Sequence, residues 1–149
     1  MIATDKWDLR FLGLARLVAG WSKDPSTSVG CVVVDPRHRV LSLGFNGPPR
    51  GASDDRLEDR EEKLRHIIHA EENALLFARG SVEEATAYVF PAPPCARCAS
   101  KLIQAGIARV VAVAPTPEFE ARWEKDLELS KLLFLECGVD YDLFELPEL

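Results

Sequence analysis

The sequence has no hydrophobic run long enough to cross a bilayer, which would take about 20 consecutive apolar residues. Charged residues interrupt the stretch 1–8 at once, so it also lacks the apolar centre of a secretion signal. Cysteine is scarce, with four in 149 residues. Without a sign of export, we expect these four to be reduced thiols of a cytoplasmic protein that has no membrane partner.

Positive charge is scarce as well. Lys and Arg number 18 against 24 Asp and Glu, which gives a formal net charge of −6. Because long nucleic acids are bound mainly by neutralising their phosphates with Lys and Arg, we expect none as a partner. A small phosphorylated molecule needs only a few local cations and stays compatible with this charge.

Repeats and low-complexity tracts are absent too, and the length predicts one domain over 1–149.

Two short motifs combine three metal-ligand residues with a carboxylate. His69 and Glu71 lie in the triplet HAE, and Cys95 and Cys98 follow in the segment PCARC. One histidine and two cysteines suit three corners of a tetrahedral zinc site, and a catalytic zinc keeps the fourth corner for water. Glu71 is then left to move protons. This H-x-E…P-C-x-x-C pattern is the signature of zinc-dependent nucleobase deaminases.

Two other interpretations of the same residues stay open. Cys95 and Cys98 alone could form a redox pair, although such a pair needs neither the upstream histidine nor the glutamate. A purely structural zinc would need a fourth protein ligand, which His66 or Cys137 could supply.

The rest of the pattern alternates helices with strands. After a candidate cap at Thr4 or Asp5, apolar residues at helical spacing predict a first helix from Trp7 to Val18. Strands are expected at 29–34, 39–45, 85–90, 108–114 and 139–146. A solvated helix or helical turn is expected at 56–65, and further helices are expected from 69 to before 80, at 95–105 and at 118–137. A hairpin followed by strand–helix–strand units predicts an α/β fold, a three-layer α/β/α sandwich with a mixed five-stranded sheet.

This layout explains the ligand spacing. Cys95 and Cys98 lie three residues apart in the first turn of a helix, so they face the same side. The unpaired N–H groups of that turn favour the thiolate over the thiol. At a second helix N-terminus, His69 and Glu71 can both approach the same metal site.

With these residues in place, the sequence resembles the deoxycytidylate (dCMP) deaminase family of the cytidine deaminase-like superfamily. The matching stretches are SKDPSTSVG at 22–30, GFNGPPRG at 44–51, SDD at 53–55, HAEENA at 69–74, PCARCA at 94–99 and IQAGI at 103–107. The zinc motifs fit any member of the superfamily, including guanine and tRNA adenosine deaminases. The SKDPS and GFNG stretches point to a deoxycytidylate enzyme.

The resemblance implies an activity and its central residues. It implies a Zn²⁺ cofactor held by His69, Cys95 and Cys98, with Glu71 as the catalytic proton shuttle in a hydrolysis of dCMP to dUMP and ammonia. The alternatives are a zinc deaminase of another base or nucleoside, such as guanine, tRNA adenosine or a modified cytosine nucleotide, and a non-catalytic zinc-binding module.

Substrate contacts are also implied by the resemblance. Asn46 is expected near the sugar hydroxyl, and the backbone of Ala70 at the pyrimidine edge. Ser22 and Lys23 are expected beside the 5′-phosphate, although an exposed Ser-Lys before Asp-Pro is more often only a turn.

Regulation and assembly are expected from the resemblance alone. The effectors dCTP and dTTP would act through the loop of Phe45, Asn46 and Gly47, where the family commonly has tyrosine instead of Phe45. A homo-oligomer, hexamer or dimer, is expected.

Some relatives carry a second, structural metal, for which Cys31 and His66 are the candidates here. The ordinary interpretation of these two residues is a buried strand cysteine and an exposed helix histidine.

Overall fold

The computed structural model describes residues 6–145, in which helices and strands alternate. The helices are α1 (Lys6–Ala19), α2 (Arg60–His66), α3 (Ala70–Phe77), α4 (Ala96–Gln104) and α5 (Pro117–Glu136), and a short 3₁₀ helix spans Asp54–Glu58. The strands are β1 (Gly30–Val34), β2 (Val40–Phe45), β3 (Thr86–Phe90), β4 (Arg109–Val113) and β5 (Asp140–Phe144). The predicted cap at Thr4 or Asp5 and the predicted strand end at Leu146 lie outside the described residues.

The five strands form one mixed sheet in the order β2-β1-β3-β4-β5. Strand β1 is antiparallel to both β2 and β3, whereas β3, β4 and β5 are parallel neighbours. The predicted hairpin and the predicted parallel crossovers are therefore confirmed. The segment 56–65, expected to be a helix or helical turn, contains the end of the 3₁₀ helix and most of α2, and Asp59 separates the two and caps α2 by accepting from the Glu62 N–H at 3.1 Å.

Helices cover both faces of the sheet, as the three-layer prediction requires. Along β1, Val32 and Val34 pack on the side of α1, and Cys31 and Val33 pack on the opposite side. The α1 side buries Phe11, Leu12, Ala15 and Val18 with Val111, Val113 and Phe144. The other side buries Ala70 and Ala74 of α3, Ala99 and Leu102 of α4, and Phe134 of α5. Within residues 6–145, none of these helices is both long and apolar enough to cross a membrane.

Helix α3 lies unusually close to β2. A Cβ atom added to Gly44 would stand 2.4 Å from the backbone nitrogen of Ala74 and 2.6 Å from the carbonyl oxygen of Ala70. The Ser42 hydroxyl also donates to the Ala74 carbonyl, at 2.6 Å. This contact fixes the N-terminus of α3 at the sheet edge where β2 and β3 end and β1 begins, since Gly30 pairs with both Phe45 and Phe90.

Candidate active site

Three metal-ligand side chains meet at this sheet edge. His69 immediately precedes α3, Cys95 immediately precedes α4, and Cys98 lies in the first turn of α4. The Nδ1 atom of His69 lies 3.3 Å from Cys98 Sγ and 3.5 Å from Cys95 Sγ, and all three ligand atoms lie within 4.8 Å of one another. One zinc ion about 2.0–2.3 Å from each ligand atom fits such spacings. Among residues 6–145, this is the one group of three or more such side chains that could hold a metal.

The two thiols and the imidazole shift one another's pKa. Hydrogen bonds from Cys98 and His69 lower the pKa of Cys95 to about 4, although burial acts in the opposite direction. The same Cys95 contact raises the pKa of Cys98, and it raises that of His69 as well. Since zinc binds thiolate and neutral imidazole, its binding would displace the protons that this cluster holds.

The other candidate ligands do not join the cluster. Cys31 is fully buried on β1, and Cys137 is exposed where α5 ends. His66 closes α2, with its Nδ1 2.7 Å from the Glu62 carbonyl oxygen. The structure therefore gives no fourth protein ligand from His66 or Cys137 and does not support a second site built on Cys31 and His66.

Glu71 is a buried acid in the first turn of α3. Burial raises its pKa to about 7, because a carboxylate loses its hydration there. The side chain lines the same cavity as His69 and Cys95. Glu71 can therefore hold or release a proton near neutral pH, beside the ligands and without belonging to them.

The cavity in front of this cluster has mostly apolar walls with a few charged groups. The apolar lining consists of Val29, Leu64, Ile67, Ala70, Pro91, Ala92, Pro93, Phe119, Trp123 and Leu127. Its cations are Arg60, Lys63 and Arg122. Such a lining, with polar groups at a few points, is typical of a small-molecule site.

The predicted substrate residues divide into two groups. Asn46 and Ala70 line the cavity, whereas Ser22 and Lys23 do not. The Ser22 hydroxyl donates to the Asn46 carbonyl at 2.9 Å. Lys23 is an exposed side chain paired with Asp54, with 3.1 Å between Nζ and Oδ1.

Asn46 uses its buried amide to hold the segment before β1. Its Oδ1 accepts from the Val29 N–H at 2.9 Å, and its Nδ2 donates to the Thr27 carbonyl at 2.8 Å. Because Thr27 and Val29 both line the cavity, Asn46 shapes the wall in addition to contributing to it.

Sequence reasoning missed Lys63 and Arg122. Lys63 is buried, with Nζ 3.1 Å from both Asp24 Oδ1 and Ser26 Oγ. Burial opposes ionisation of Asp24, but hydrogen bonds from Thr27, Ser26 and Lys63 outweigh it and lower its pKa. A lysine within a highly charged segment gives no local sign of burial, and Arg122 on α5 reaches the cavity only through the fold.

The predicted effector loop is tied to the start of α3. Gly47 and Ile68 exchange two backbone hydrogen bonds, of 3.0 and 2.8 Å. The Asn73 amide donates to the Phe45 carbonyl at 2.8 Å. A change in this loop would therefore reach His69 through its chain neighbour Ile68.

Comparisons with known proteins agree with this site. The family profile described as "Cytidine and deoxycytidylate deaminase zinc-binding region" matches residues 5–114. An uncharacterised deaminase of Aliivibrio fischeri is 43% identical over 136 residues, which cover 91% of each chain. The deoxycytidylate deaminase of Mus musculus is 31% identical over 146 residues, which cover 93% of this chain and 80% of the mouse protein.

A solved structure has the same fold. The dCMP deaminase from the cyanophage S-TIM5, in complex with dCMP and dUMP, superposes with a TM-score of 0.73 over 95% of this chain and 98% of the phage chain. Sequence identity is 21%, so this match concerns the fold. The family profile, by contrast, spans both zinc motifs, 69–71 and 94–98. The chain therefore belongs to the deoxycytidylate deaminase family and is a zinc-dependent deaminase hydrolase.

Proposed function

We propose that this enzyme hydrolyses dCMP to dUMP and ammonia and so supplies a precursor for thymidylate synthesis. The observation that carries the proposal is the buried carboxylate of Glu71 in the same cavity wall as His69 and Cys95. The relatives named deoxycytidylate deaminase support this choice of substrate.

His69, Cys95 and Cys98 are the proposed zinc ligands, through Nδ1 and the two thiolates. When bound, zinc supplies a nucleophile at neutral pH by lowering the pKa of water to about 7. Glu71 then serves twice as a proton carrier. It takes a proton from the attacking water and delivers it to N3 of cytosine, which makes C4 electrophilic. After the water oxygen has added to C4, Glu71 takes the remaining hydroxyl proton and delivers it to the amino group, so that the C4–N bond breaks, ammonia leaves and C4 becomes the carbonyl of dUMP.

For the rest of the nucleotide, we propose Asn46 near the sugar hydroxyl and the Ala70 backbone at the pyrimidine edge. Two sets of residues are candidates for binding the 5′-phosphate. Ser22 and Lys23 remain predictions from the resemblance. Lys63 and Arg122 are the second set, because both line the cavity. Two of the three ammonium donors of Lys63 already bind Asp24 and Ser26, so that one donor is left for a phosphate.

A substrate profile tests the proposed activity. Ammonia release should be fastest with dCMP among dCMP, CMP, deoxycytidine, dCTP, guanine and a tRNA anticodon stem–loop. The active enzyme should contain one zinc per chain. Preference for another base would replace the proposed substrate but keep the deaminase chemistry. Zinc-loaded protein that is inactive on every one of them would instead indicate a non-catalytic zinc module.

Single cation variants identify the phosphate contact. Arg122→Ala should lower kcat/KM for dCMP by roughly 10- to 100-fold, since a hydrogen bond to a charged group contributes about 1.5–3 kcal/mol. The same variant should leave deoxycytidine turnover almost unchanged, because that substrate has no phosphate. Lys131→Ala, an exposed cation on α5, is the matched control. Lys23→Ala belongs in the same assay, and an equal loss on both substrates would remove Lys23 from the phosphate site.

We also propose regulation by dCTP and dTTP through the Phe45–Gly47 loop, in a homo-oligomeric enzyme of the cytoplasm. The link between this loop and Ile68 supports the proposal, because it joins the loop to His69. Turnover measured in the presence of each nucleotide tests the regulation. Analytical ultracentrifugation determines the oligomer size and tests the assembly.

A further inference from the structure

Helix α5 contacts the backbone on both sides of Cys95. The carboxylate of Asp126 accepts a hydrogen bond from the Ala96 N–H, with 2.9 Å between Oδ2 and N. One helical turn later, the Ser130 hydroxyl donates to the Pro94 carbonyl at 2.9 Å. One contact therefore holds the peptide unit before Cys95, and the other holds the peptide unit after it.

Cys95 depends on such contacts because it caps α4, which holds its carbonyl through the Ala99 N–H at 2.8 Å but leaves the preceding peptide unit unheld. Its backbone is extended, with φ −69° and ψ 169°, and its side chain makes no capping bond to α4. The plane of the preceding peptide unit sets φ, and the plane of the following unit sets ψ. Fixing both planes fixes the direction of the Cα–Cβ bond, so that only rotation about this bond is left to place Sγ. Cys98, in contrast, belongs to α4, whose own hydrogen bonds hold its backbone.

Both contacts suit their place at the start of α4. The Ala96 N–H belongs to the first turn, whose amides have no acceptor within the helix, and a carboxylate is favoured there by the helix dipole. Ser130 is fully buried, and Asp126 is half-buried at the edge of the cavity. Removing the Ser130 hydroxyl would leave the Pro94 carbonyl without this partner in a place closed to water.

We propose that Asp126 and Ser130 are positioning residues that aim Cys95 at the metal and thereby slow the loss of zinc. The inference rests on the proposed role of Cys95 as a zinc ligand. Neither side chain needs to touch the ion, because each acts through a peptide unit next to the ligand.

Zinc release from the purified, zinc-loaded enzyme into a chromogenic chelator tests this role. Asp126→Ala and Ser130→Ala should each speed release by roughly 10- to 100-fold, the usual effect of removing a partner that orients a metal ligand. Asp126→Asn keeps a carbonyl oxygen as acceptor and should release zinc at nearly the wild-type rate. Glu128→Gln, an exposed acid on the same helix, is the matched control.

Thermal unfolding of the same variants separates positioning from plain stability. Lower melting temperatures for Asp126→Ala and Ser130→Ala with an unchanged zinc release rate would overturn the proposal. If Ser130→Ala fails to fold, the comparison of Asp126→Ala with Asp126→Asn decides alone. In Co²⁺-substituted enzyme, Asp126→Ala should shift the visible absorption bands and Asp126→Asn should restore them, whereas identical spectra would contradict the inference.

The same measurements keep this inference separate from the proposed function. A wild-type enzyme that holds zinc tightly but does not deaminate dCMP would refute the substrate assignment. The difference in zinc release between Asp126→Ala and Asp126→Asn would still be expected in that case.

Discussion

Two adjacent acids at the start of α3 have different surroundings. Glu71 is buried in the cavity wall, and burial raises its pKa to about 7. Burial also opposes ionisation of Glu72, but the Lys101 ammonium and the His69 N–H outweigh it and lower the pKa of Glu72. Glu71 is therefore suited to carrying protons, and Glu72 to holding the start of the helix next to α4.

Glu71→Gln should keep zinc and lose turnover. The amide preserves the size of the side chain but cannot shuttle a proton, so kcat/KM for dCMP should fall by roughly 10²- to 10⁴-fold. Elemental analysis and steady-state kinetics measure the two effects. Glu72→Gln keeps an oxygen acceptor for the His69 N–H and should retain most of the turnover. Activity of Glu71→Gln within tenfold of wild type would remove Glu71 from the proposed mechanism.

At the level of single residues, the sequence predicts the metal cluster but gives no sign of the cations that line the cavity. His69, Cys95 and Cys98 lie in two short motifs at helix starts, and the residue types in these motifs signal a zinc site even though the fold must bring His69 to the two cysteines. Lys63 and Arg122 line the same cavity only because α2 and α5 both border it. No spacing rule relates two positions so far apart in the chain. Lys23, which was predicted from its motif, is an exposed side chain paired with Asp54.

At the level of elements, β2 and α3 form a unit whose closeness the sequence does not reveal. Their existence follows from period-two and helical patterns, but a glycine within a strand indicates a bulge, a bend or a close approach without showing which element packs there. In the structure, its missing side chain lets the backbones of Ala70 and Ala74 approach the strand. The start of α3, with His69 and Glu71, takes its position from this contact.

Gly44→Ala should destabilise the protein and disturb the site. The added methyl group would meet backbone atoms at 2.4 and 2.6 Å, and backbone cannot rotate away as a flexible side chain can. Overpacking of this kind costs about 1–3 kcal/mol, occasionally more, and it should also weaken zinc binding because α3 must shift. Urea unfolding and zinc titration measure both effects.

Gly13→Ala is the matched control for that variant. Gly13 is exposed within α1, and a Cβ there would meet nothing within 4 Å. Alanine in a helix interior is favoured over glycine by about 1 kcal/mol, so the free energy of unfolding should rise instead of falling. Destabilisation by both alanines would contradict the steric explanation for Gly44.

At the scale of the whole molecule, the sequence predicts the class of fold and its three layers, but not the full strand order or which helices share a face. Crossover helices indicate parallel pairing of β3, β4 and β5, and the structure confirms it. Insertion of β1 between β2 and β3 has no local signal, because it depends on which strand edges meet. The assignment of α1 to one face and of α3, α4 and α5 to the other is likewise a property of the assembled core.

A buried ion network joins α1 to three strands far from it in the chain. Asp8 accepts from the Tyr88 hydroxyl at 2.8 Å and from both terminal nitrogens of Arg109 at 2.9 Å. Arg109 Nε donates to Asp142 at 2.9 Å, so the network spans α1, β3, β4 and β5. Hydrogen bonds to Asp8 raise the pKa of Arg109, which therefore stays charged. The network fixes how α1 lies across the sheet.

Asp8→Asn should therefore cost far more stability than its small change in size suggests. Removing one partner of a buried ion pair costs about 3–5 kcal/mol, and we expect the lower end because the Arg109 side chain is 21% exposed and still pairs with Asp142. Asp54→Asn is the matched control, since the Lys23 and Asp54 side chains are 62% and 57% exposed and such pairs contribute at most about 1 kcal/mol. Urea unfolding with an unchanged m-value measures both losses. Equal losses for the two variants would mean that α1 is held by its apolar contacts alone and that the ion network adds nothing to the docking of the layer.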